Sequence, residues 1–286
     1  MSTALVLGGG GVTGIAWELG VLQALQEAGV DLAAADLVVG TSAGSVVAVQ
    51  ATSGVGLDRL VADQLKAAGT SQEVKADFDP QSAAQAFSRL TVGARNEREV
   101  RARLGAMALE APTVPEAERM RTIQARLPVA TWPARRLLIT AVDAETGDPV
   151  VWDRTSGIPL AAAVAASCAV PGVWPPATVA GRRYIDGSVR SATNADLAQG
   201  HDVVVVLAPD TGPGLNPASP GLTAEVALLR THSQVRVITP DGAALEAIGP
   251  NPLDPGRRPA SARAGRRQGR ELAGALREIW PAPPTR

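Results

Sequence analysis

The segment Gly40-Thr41-Ser42-Ala43-Gly44 contains residue types with the spacing of a catalytic motif. It fits the pattern G-x-S-x-G, in which a serine occupies a sharp turn between a strand and a helix. Flanking glycines let the backbone fold tightly and leave the serine hydroxyl accessible. At a helix start, the helix dipole also favours developing negative charge. The pattern predicts that Ser42 is a nucleophile, with an ordinary helix N-cap serine as the alternative.

A second glycine-rich segment, Gly9-Gly10-Gly11-Val12-Thr13-Gly14, precedes the serine turn in the chain. It lies between an apolar run and a region of helical periodicity, so its backbone N–H groups should point outward at a helix N-terminus. Acyl transfer needs such donors to stabilise the oxyanion of the tetrahedral intermediate. The two segments together therefore indicate acyl transfer.

The glycine segment also spells the dinucleotide-binding pattern G-x-G-x-x-G. A dinucleotide site needs an acidic residue at the end of the second strand, where it binds the ribose. Here the second predicted strand ends in the Ser42 segment, and Asp31 and Asp36 precede that strand. The spacing thus favours acyl transfer, and a nucleotide-binding protein is the alternative.

The base that would activate Ser42 is not an obvious histidine. The chain contains two histidines, His201 and His232. His201 directly precedes a predicted strand, so we expect it at the end of the sheet opposite the glycine segments. His232 follows an amphipathic stretch and could approach the site, which keeps a Ser-His-Asp triad as an alternative.

A carboxylate can replace histidine when it is held within hydrogen-bond distance and partly desolvated, because desolvation raises its pKa. Asp186 lies at a predicted strand end, and Gly187 after it permits close backbone approach. Asp143 also lies near a strand end, but the residues that follow it read as plain turn chemistry. Asp186 is therefore the preferred base.

The elements that must position these residues alternate between strand and helix. Short apolar runs predict buried strands at 5–7 and 37–39, each followed by a glycine segment and then a helix at about 14–28 and 43–51. Further strands are predicted at 136–142, 150–152, 184–185, 202–207 and 235–238. This order predicts an α/β fold, a three-layer sandwich with a mainly parallel central sheet and helices on both faces.

The remaining segments are predicted as an insert and a C-terminal region. Residues 53–134 read as several helices without a strand, and we expect them to form a helical cap that lines an apolar acyl channel over Ser42. Thr113 and Glu116 fit a capping box at a helix start inside this insert. Residues 251–265 are predicted as a loop and 266–279 as a final helix. We expect one domain over residues 1–286.

The order of these motifs resembles the patatin-like phospholipase family over roughly residues 4–210. The glycine segment, the serine turn and Asp186-Gly187 carry the resemblance. Two further stretches add to it: Ala166-Ser167-Cys168-Ala169-Val170-Pro171-Gly172 with Pro175-Pro176 before the aspartate, and Asn194-Ala195-Asp196 after it.

The resemblance implies a patatin-like fold and a Ser–Asp dyad in which Ser42 is the nucleophile and Asp186 the general base. It also implies an oxyanion site at Gly9, Gly10 and Gly11, formed mostly by the N–H groups of Gly10 and Gly11. The sequence departs from the family at two positions. Thr13 stands where the family often has Arg or Lys, so the preference for phospholipids over neutral esters is left undecided. Ser188 stands where Gly or Ala is usual in the family.

Composition limits the classes of partner. The chain has 286 residues, of which 45% are hydrophobic and 19% charged, and its net charge of −1 gives no electrostatic case for nucleic acid. The single cysteine, Cys168, is interpreted as a small buried hydrophobe and not a reactive thiol.

The sequence shows no basic region typical of a signal peptide and no apolar stretch of the roughly 20 residues that span a bilayer. We expect a cytoplasmic protein, in transient peripheral contact with membranes if the C-terminal arginines bind anionic lipid. A solvated helix face is the favoured interpretation of those arginines.

Together these features predict a serine acyl hydrolase that cleaves lipid acyl esters, whether phospholipid, lysophospholipid or neutral ester, through an acyl-enzyme. We expect no metal and no organic cofactor, and a lipid or acyl ester as the binding partner. A catalytically silent lipid-binding protein on the same fold is the second alternative.

Overall fold

One eight-stranded sheet forms the centre of the molecule. The structure is a computed structural model and describes residues 1–67, 73, 76, 78–210, 215, 216, 219 and 221–281. The strands are Thr3–Leu7 (β1), Leu37–Gly40 (β2), Arg136–Asp143 (β3), Pro149–Trp152 (β4), Ala177–Val179 (β5), Arg182–Asp186 (β6), Val203–Leu207 (β7) and Gln234–Ile238 (β8).

The strand order is β5-β6-β3-β2-β1-β7-β8, with β4 paired to β3. The strands from β3 to β8 in this order pair in parallel. The pairs β3–β4, β3–β6 and β5–β6 are antiparallel. The sheet is therefore mixed and mostly parallel, as predicted.

The described residues form ten α-helices. They are Gly11–Glu27 (α1), Ala43–Thr52 (α2), Leu57–Gln64 (α3), Pro80–Thr91 (α4), Glu97–Glu110 (α5), Glu116–Arg126 (α6), Leu160–Ser167 (α7), Gly221–Leu229 (α8), Gly242–Ile248 (α9) and Arg258–Arg277 (α10). Of these, α7 and α9 were not predicted from the sequence, nor was strand β5.

Both faces of the sheet are covered, because successive side chains of a strand point to opposite faces. In β1, Leu5 and Leu7 belong to a large core that includes residues of α1, α2, α7 and α10. Ala4 and Val6 belong to a second core on the other face, together with Leu229 of α8. The predicted three-layer α/β architecture is confirmed.

The helical insert between α2 and β3 consists of α3 to α6, and its described residues contain no strand. Phe87 and Leu104, from α4 and α5, pack with Val142 of β3 and Ile185 of β6. The insert is thus anchored on the antiparallel end of the sheet.

The predicted capping box at the start of α6 is wrong. The helix begins at Glu116, and Pro115 at its N-cap makes no side-chain hydrogen bond. The Glu116 carboxylate instead accepts hydrogen bonds from the backbone N–H and the hydroxyl of Thr178 in β5, at 2.5 and 2.9 Å. A tertiary partner has displaced the local one.

The predicted C-terminal loop is also wrong in part, because α10 begins at Arg258. Glycines that suggested a loop serve the packing of α10 against α1 instead. A Cβ at Gly265 would lie 2.2 Å from the carbonyl oxygen of Trp17, and one at Gly20 would lie 2.3 Å from that of Ala262. Only residues without side chains allow two helices to approach this closely.

Candidate active site

The two glycine-rich turns lie side by side at one edge of the sheet. β1 and β2 are parallel neighbours in which Leu7 pairs with Gly40, so both turns follow the carboxyl ends of adjacent strands. A Cβ at Gly44 would lie 2.0 Å from the carbonyl oxygen of Leu7. The second glycine of the serine turn is therefore required for the close approach of the two segments.

Ser42 occupies the strained backbone conformation that its motif predicts. Its φ of 53° and ψ of −119° lie where a residue with a side chain is disfavoured, at a cost of about 1–3 kcal/mol. Its side chain makes no capping hydrogen bond to α2, which starts at the next residue. The interpretation of Ser42 as an ordinary N-cap serine is wrong.

The Ser42 hydroxyl donates to Oδ2 of Asp186 at 2.8 Å. The other carboxylate oxygen, Oδ1, accepts from the N–H of Ser188 at 2.8 Å. Asp186 ends β6, and a Cβ at Gly187 would lie 2.3 Å from the Thr140 hydroxyl oxygen on β3. The close backbone approach expected of Gly187 is thus present, and it brings the carboxylate to the serine.

Burial tunes the Asp186 carboxylate. The side chain has no exposed surface, and its desolvation raises its pKa from 3.8 to about 6. The hydrogen bonds from Ser188 and Ser42 lower the pKa and so oppose this effect only in part. The carboxylate is therefore a stronger proton acceptor than an exposed aspartate, yet mostly ionised at neutral pH.

The glycine segment offers two free donors beside the serine. Among the described residues, the N–H groups of Gly10 and Gly11 at the start of α1 have no hydrogen-bond acceptor. The N–H of Gly9 is occupied, because it donates to the carbonyl of Ala192 at 2.8 Å. The prediction that Gly9 contributes a donor to the oxyanion site is therefore wrong.

Gly9 matters for a steric reason, because little room is left for a side chain at this position. A Cβ there would lie 2.7 Å from the Ser188 hydroxyl oxygen and 3.6 Å from the Ser42 Cβ. A side chain at this position would crowd the region between the glycine segment, Ser42 and Ser188.

Several supporting residues were missed at the level of sequence. Ser167, at the end of α7, accepts the Ser42 N–H at 2.9 Å through its hydroxyl. Glu18, fully buried in α1, accepts the N–H of Gly8 at 3.1 Å, and burial raises its pKa well above the usual value. A glutamate within an otherwise apolar helical stretch was the available signal for it.

A buried polar network joins the serine turn to the loop after Asp186. The Asn194 amide donates to the hydroxyls of Thr41 and Thr140, at 3.1 and 3.3 Å, and to the Ser191 carbonyl at 2.8 Å. Because each of these groups is satisfied by another, the network holds the two strand ends in one relative position.

Cys168 lies in the same region as a buried thiol. Its Sγ lies 3.2 Å from the carbonyl oxygen of Ser42, and burial raises its pKa to about 11. A thiol with a raised pKa is a poor nucleophile. This confirms the interpretation of Cys168 as a small buried residue.

The histidines lie at the opposite edge of the sheet. His201 lies two residues before Val203, where β7 begins, and His232 lies two residues before Gln234, which pairs with Val203. The His201 ring nitrogen Nδ1 is 3.0 Å from the Ala198 carbonyl oxygen. The strand length therefore separates both imidazoles from Ser42.

The remaining acidic candidates are also engaged elsewhere. Asp143 accepts from the N–H groups of Glu145 and Thr146, at 3.1 and 2.9 Å, as expected of a turn. Asp36 accepts the Thr3 N–H at 2.8 Å, at the amino end of β1. Asp36 therefore lies at the edge of the sheet opposite the glycine segment, away from the position where a ribose-binding acid is needed.

A cavity of about 200 Å³ opens in front of Ser42. The insert contributes to its wall, as predicted, and so does the C-terminal region, which was not predicted to do so. The insert residues are Phe78, Pro80, Arg119 and Arg126, and the C-terminal ones include Leu245, Ile248, Pro252 and Leu253. Most of these side chains are apolar, which suits an acyl chain.

A comparison with protein-family models matches residues 5–198 to the model described as Patatin, patatin-like phospholipase. The chain belongs to the patatin-like phospholipase family. This is a family of carboxylic ester hydrolases that act on lipid acyl groups. Within the described part of the chain, none of the helices has the length and apolar character of a membrane span, and His, Cys, Asp and Glu side chains form no cluster of three or more that could hold a metal ion.

The chain is similar to two solved structures at low identity. VipD from Legionella pneumophila is 13% identical with a TM-score of 0.45, over 96% of this chain and 67% of that one. The type III effector protein ExoU is 18% identical with a TM-score of 0.42, over 97% of this chain and 53% of that one. The chain thus spans about half to two thirds of their lengths. No curated protein matches the chain.

Proposed function

We propose that the protein hydrolyses lipid acyl esters with Ser42 as nucleophile and Asp186 as its general base. The observation that carries the proposal is the 2.8 Å hydrogen bond from the Ser42 hydroxyl to a carboxylate without exposed surface. A serine hydroxyl is a weak nucleophile until a positioned base accepts its proton. Membership of the patatin-like phospholipase family supports this assignment.

In the first half of the reaction, Asp186 accepts the Ser42 proton as Oγ attacks the ester carbonyl carbon. The carbonyl oxygen becomes an oxyanion, and the N–H groups of Gly10 and Gly11 donate to it at the positive end of α1. Collapse of the intermediate expels the alcohol, which takes the proton from Asp186. In the second half, Asp186 takes a proton from a water that attacks the acyl carbonyl carbon, and it returns this proton to Ser42 Oγ as the ester bond to the enzyme breaks and the fatty acid leaves.

The pKa of about 6 suits Asp186 to both halves. At neutral pH most of the carboxylate is ionised and can accept a proton. Once protonated, it is acidic enough to return that proton to the leaving alcohol. An exposed carboxylate with the usual pKa would be a much weaker base.

The test is covalent labelling with a fluorophosphonate, followed by peptide mapping. We expect the wild-type protein to be labelled on Ser42, and Ser42→Ala to lose both label and esterase activity while its thermal unfolding remains cooperative. Ser188→Ala is the matched control, because Ser188 also lines the cavity. This control should keep the label.

A label on Ser188, or full activity in Ser42→Ala, contradicts the assignment. A wild-type protein that takes no label but binds lipids would favour the catalytically silent lipid-binding alternative.

A further inference from the structure

Arg119, a cation of the cavity, forms no ion pair with the described residues. Arg119 belongs to α6 in the insert, and its side chain lines the same cavity as Ser42. The residue is only 6% exposed. Its guanidinium carbon lies 3.9 Å from the centre of the Trp174 ring. The group is therefore held in place by stacking and not by an ion pair.

Two of the three nitrogens of this guanidinium lack an acceptor among the described residues. Within the described part of the chain, Nε and Nη1 of Arg119 are buried without a hydrogen-bond partner. Stacking on the Trp174 indole occupies the flat face of the guanidinium and leaves its N–H groups pointing outward in its plane. Buried charges are normally paired, because an unpaired one loses its hydration without compensation.

Arg126, seven residues further along α6, provides a comparison, because its guanidinium has a carboxylate partner. Its Nε and Nη2 donate to both carboxylate oxygens of Glu73, at 2.9 and 2.5 Å. Arg126 also lines the cavity, but Glu73 neutralises its charge. Arg119 forms no such pair among the described residues.

Asp186 does not serve as this partner. Its two oxygens are taken by the Ser42 hydroxyl and the Ser188 N–H. The attraction between Arg119 and Asp186 lowers the pKa of the carboxyl only as the last of several causes. Desolvation lowers the pKa of Arg119 itself to about 9, so the guanidinium remains charged at neutral pH.

We propose that Arg119 is a specificity-determining residue that binds an anionic group on the alcohol part of the substrate. The inference rests on the proposed function and narrows its substrate to acyl esters that carry a phosphate close to the scissile bond. In a lysophospholipid, only the glycerol backbone separates the phosphate from the acyl ester. A planar guanidinium with free in-plane donors fits two phosphate oxygens at once.

The test compares two soluble esters with the same acyl chain, an acylglycerol phosphate and the matching neutral monoacylglycerol. The readout is the ratio of their kcat/KM values, measured at about pH 8 so that Asp186 stays ionised in every variant. We expect Arg119→Gln to lower this ratio about 10- to 100-fold, the size of a lost charged hydrogen bond. Arg121→Gln, an exposed arginine on the same helix, is the matched control and should leave the ratio unchanged.

A binding measurement separates this proposal from the catalytic one. An ether analogue of the acylglycerol phosphate has no ester to cleave, so calorimetry can follow its binding whether or not Ser42 is a nucleophile. We expect Arg119→Gln to weaken this binding about 10-fold or more, and Arg121→Gln to leave it unchanged.

Three results would overturn the proposal: an unchanged ratio in Arg119→Gln, equal losses on the phosphate and neutral esters, or inorganic phosphate binding as tightly as the ether lipid. Equal losses would mean that Arg119 only supports the dyad or the fold. Tight inorganic phosphate would mean a free-anion site instead of a substrate site.

Discussion

The two edges of the central sheet carry similar ionisable groups in very different surroundings. At the carboxyl edge, Asp186 has no exposed surface, and burial raises its pKa to about 6. At the amino edge, the Asp202 side chain is 61% exposed and accepts the Ser2 N–H at 2.6 Å. That hydrogen bond lowers the pKa of Asp202.

Desolvation, more than residue type, therefore distinguishes the pKa of the proposed base from that of an exposed aspartate. The amino edge also holds both histidines, the usual bases for a serine nucleophile. Residue type alone would have favoured a histidine as the general base for Ser42. Substitution of the histidines therefore tests whether the base lies at the carboxyl edge or at the amino edge.

The largest expected effect is the loss of activity in Asp186→Asn. An amide cannot accept the serine proton, so we expect turnover to fall about 10³- to 10⁴-fold. The measurement is kcat on a soluble ester, with circular dichroism to check the fold. The same exchange at the other edge, Asp202→Asn, should change kcat by less than about threefold, far below the effect of losing a base. If kcat fell by comparable factors in both variants, Asp186 would have no special role as the base.

The second effect concerns the pH dependence of the wild-type protein. Only ionised Asp186 can act as the base, so kcat/KM should fall as the pH drops below about 6, its pKa in the folded protein. The decrease should approach tenfold per pH unit. Because a histidine base would give a limb near pH ~6.5, the profile alone does not separate the two bases. A plateau that persists well below the expected limb contradicts the buried-carboxylate assignment.

The third effect is on stability and should have opposite signs at the two edges. The pKa of Asp186 rises from 3.8, the value expected in the unfolded chain, to about 6 in the folded protein. The contribution of Asp186 to the free energy of unfolding is therefore greatest below pH 3.8 and is lost as the pH rises through about 6. At about pH 8, Asp186→Asn should therefore raise the free energy of unfolding by up to about 3 kcal/mol. This advantage should disappear near pH ~4.

Asp202→Asn should instead lower stability at neutral pH, because its lowered pKa reports a favourable interaction of the ionised form. That loss should shrink as the pH falls through the pKa of Asp202. Denaturant titrations of both variants over this pH range provide the measurement. A destabilised Asp186→Asn at pH ~8 would show that its burial is compensated by contacts that an amide breaks.

The smallest effect is expected for the histidines. His201→Ala and His232→Ala should each keep kcat within about threefold of wild type, against the ~10²- to 10⁴-fold cost of losing a general base. Assays should be paired with thermal unfolding, since His201 contacts the Ala198 carbonyl. A collapse of activity in a well-folded His232→Ala would refute the Ser42–Asp186 dyad.

The C-terminal arginines show how the fold uses charge that sequence alone could not assign. Six of the seven arginines between positions 257 and 277 contact acceptors within the protein, as Arg266 does with Glu27 and Arg267 with Asp241. The others are Arg257, Arg258, Arg270 and Arg277. These contacts favour a helix face satisfied by the protein itself, and contact with a membrane surface stays a prediction.

The sequence by itself determined the parts of the site that depend on backbone geometry. Gly44, Gly11 and Gly187 each mark a position where a side chain would collide with a neighbouring strand or loop. Steric requirements of this kind are local and leave a readable pattern of residue types and spacing. The short apolar strands were equally readable, because a parallel sheet covered on both faces needs continuous apolar runs.

Only the tertiary structure decided which side chains support and line the site. Glu116 looked like a helix cap, but a strand distant in sequence supplies its partner. Gly265 looked like part of a loop, but it lies inside α10 because α1 packs against it. Arg119 belongs to no motif, and the stretch that contains Ser167 did not reveal that its hydroxyl accepts the Ser42 N–H, since both roles depend on distance, burial and the absence or presence of a partner. Those quantities exist only once segments far apart in the chain have been brought together.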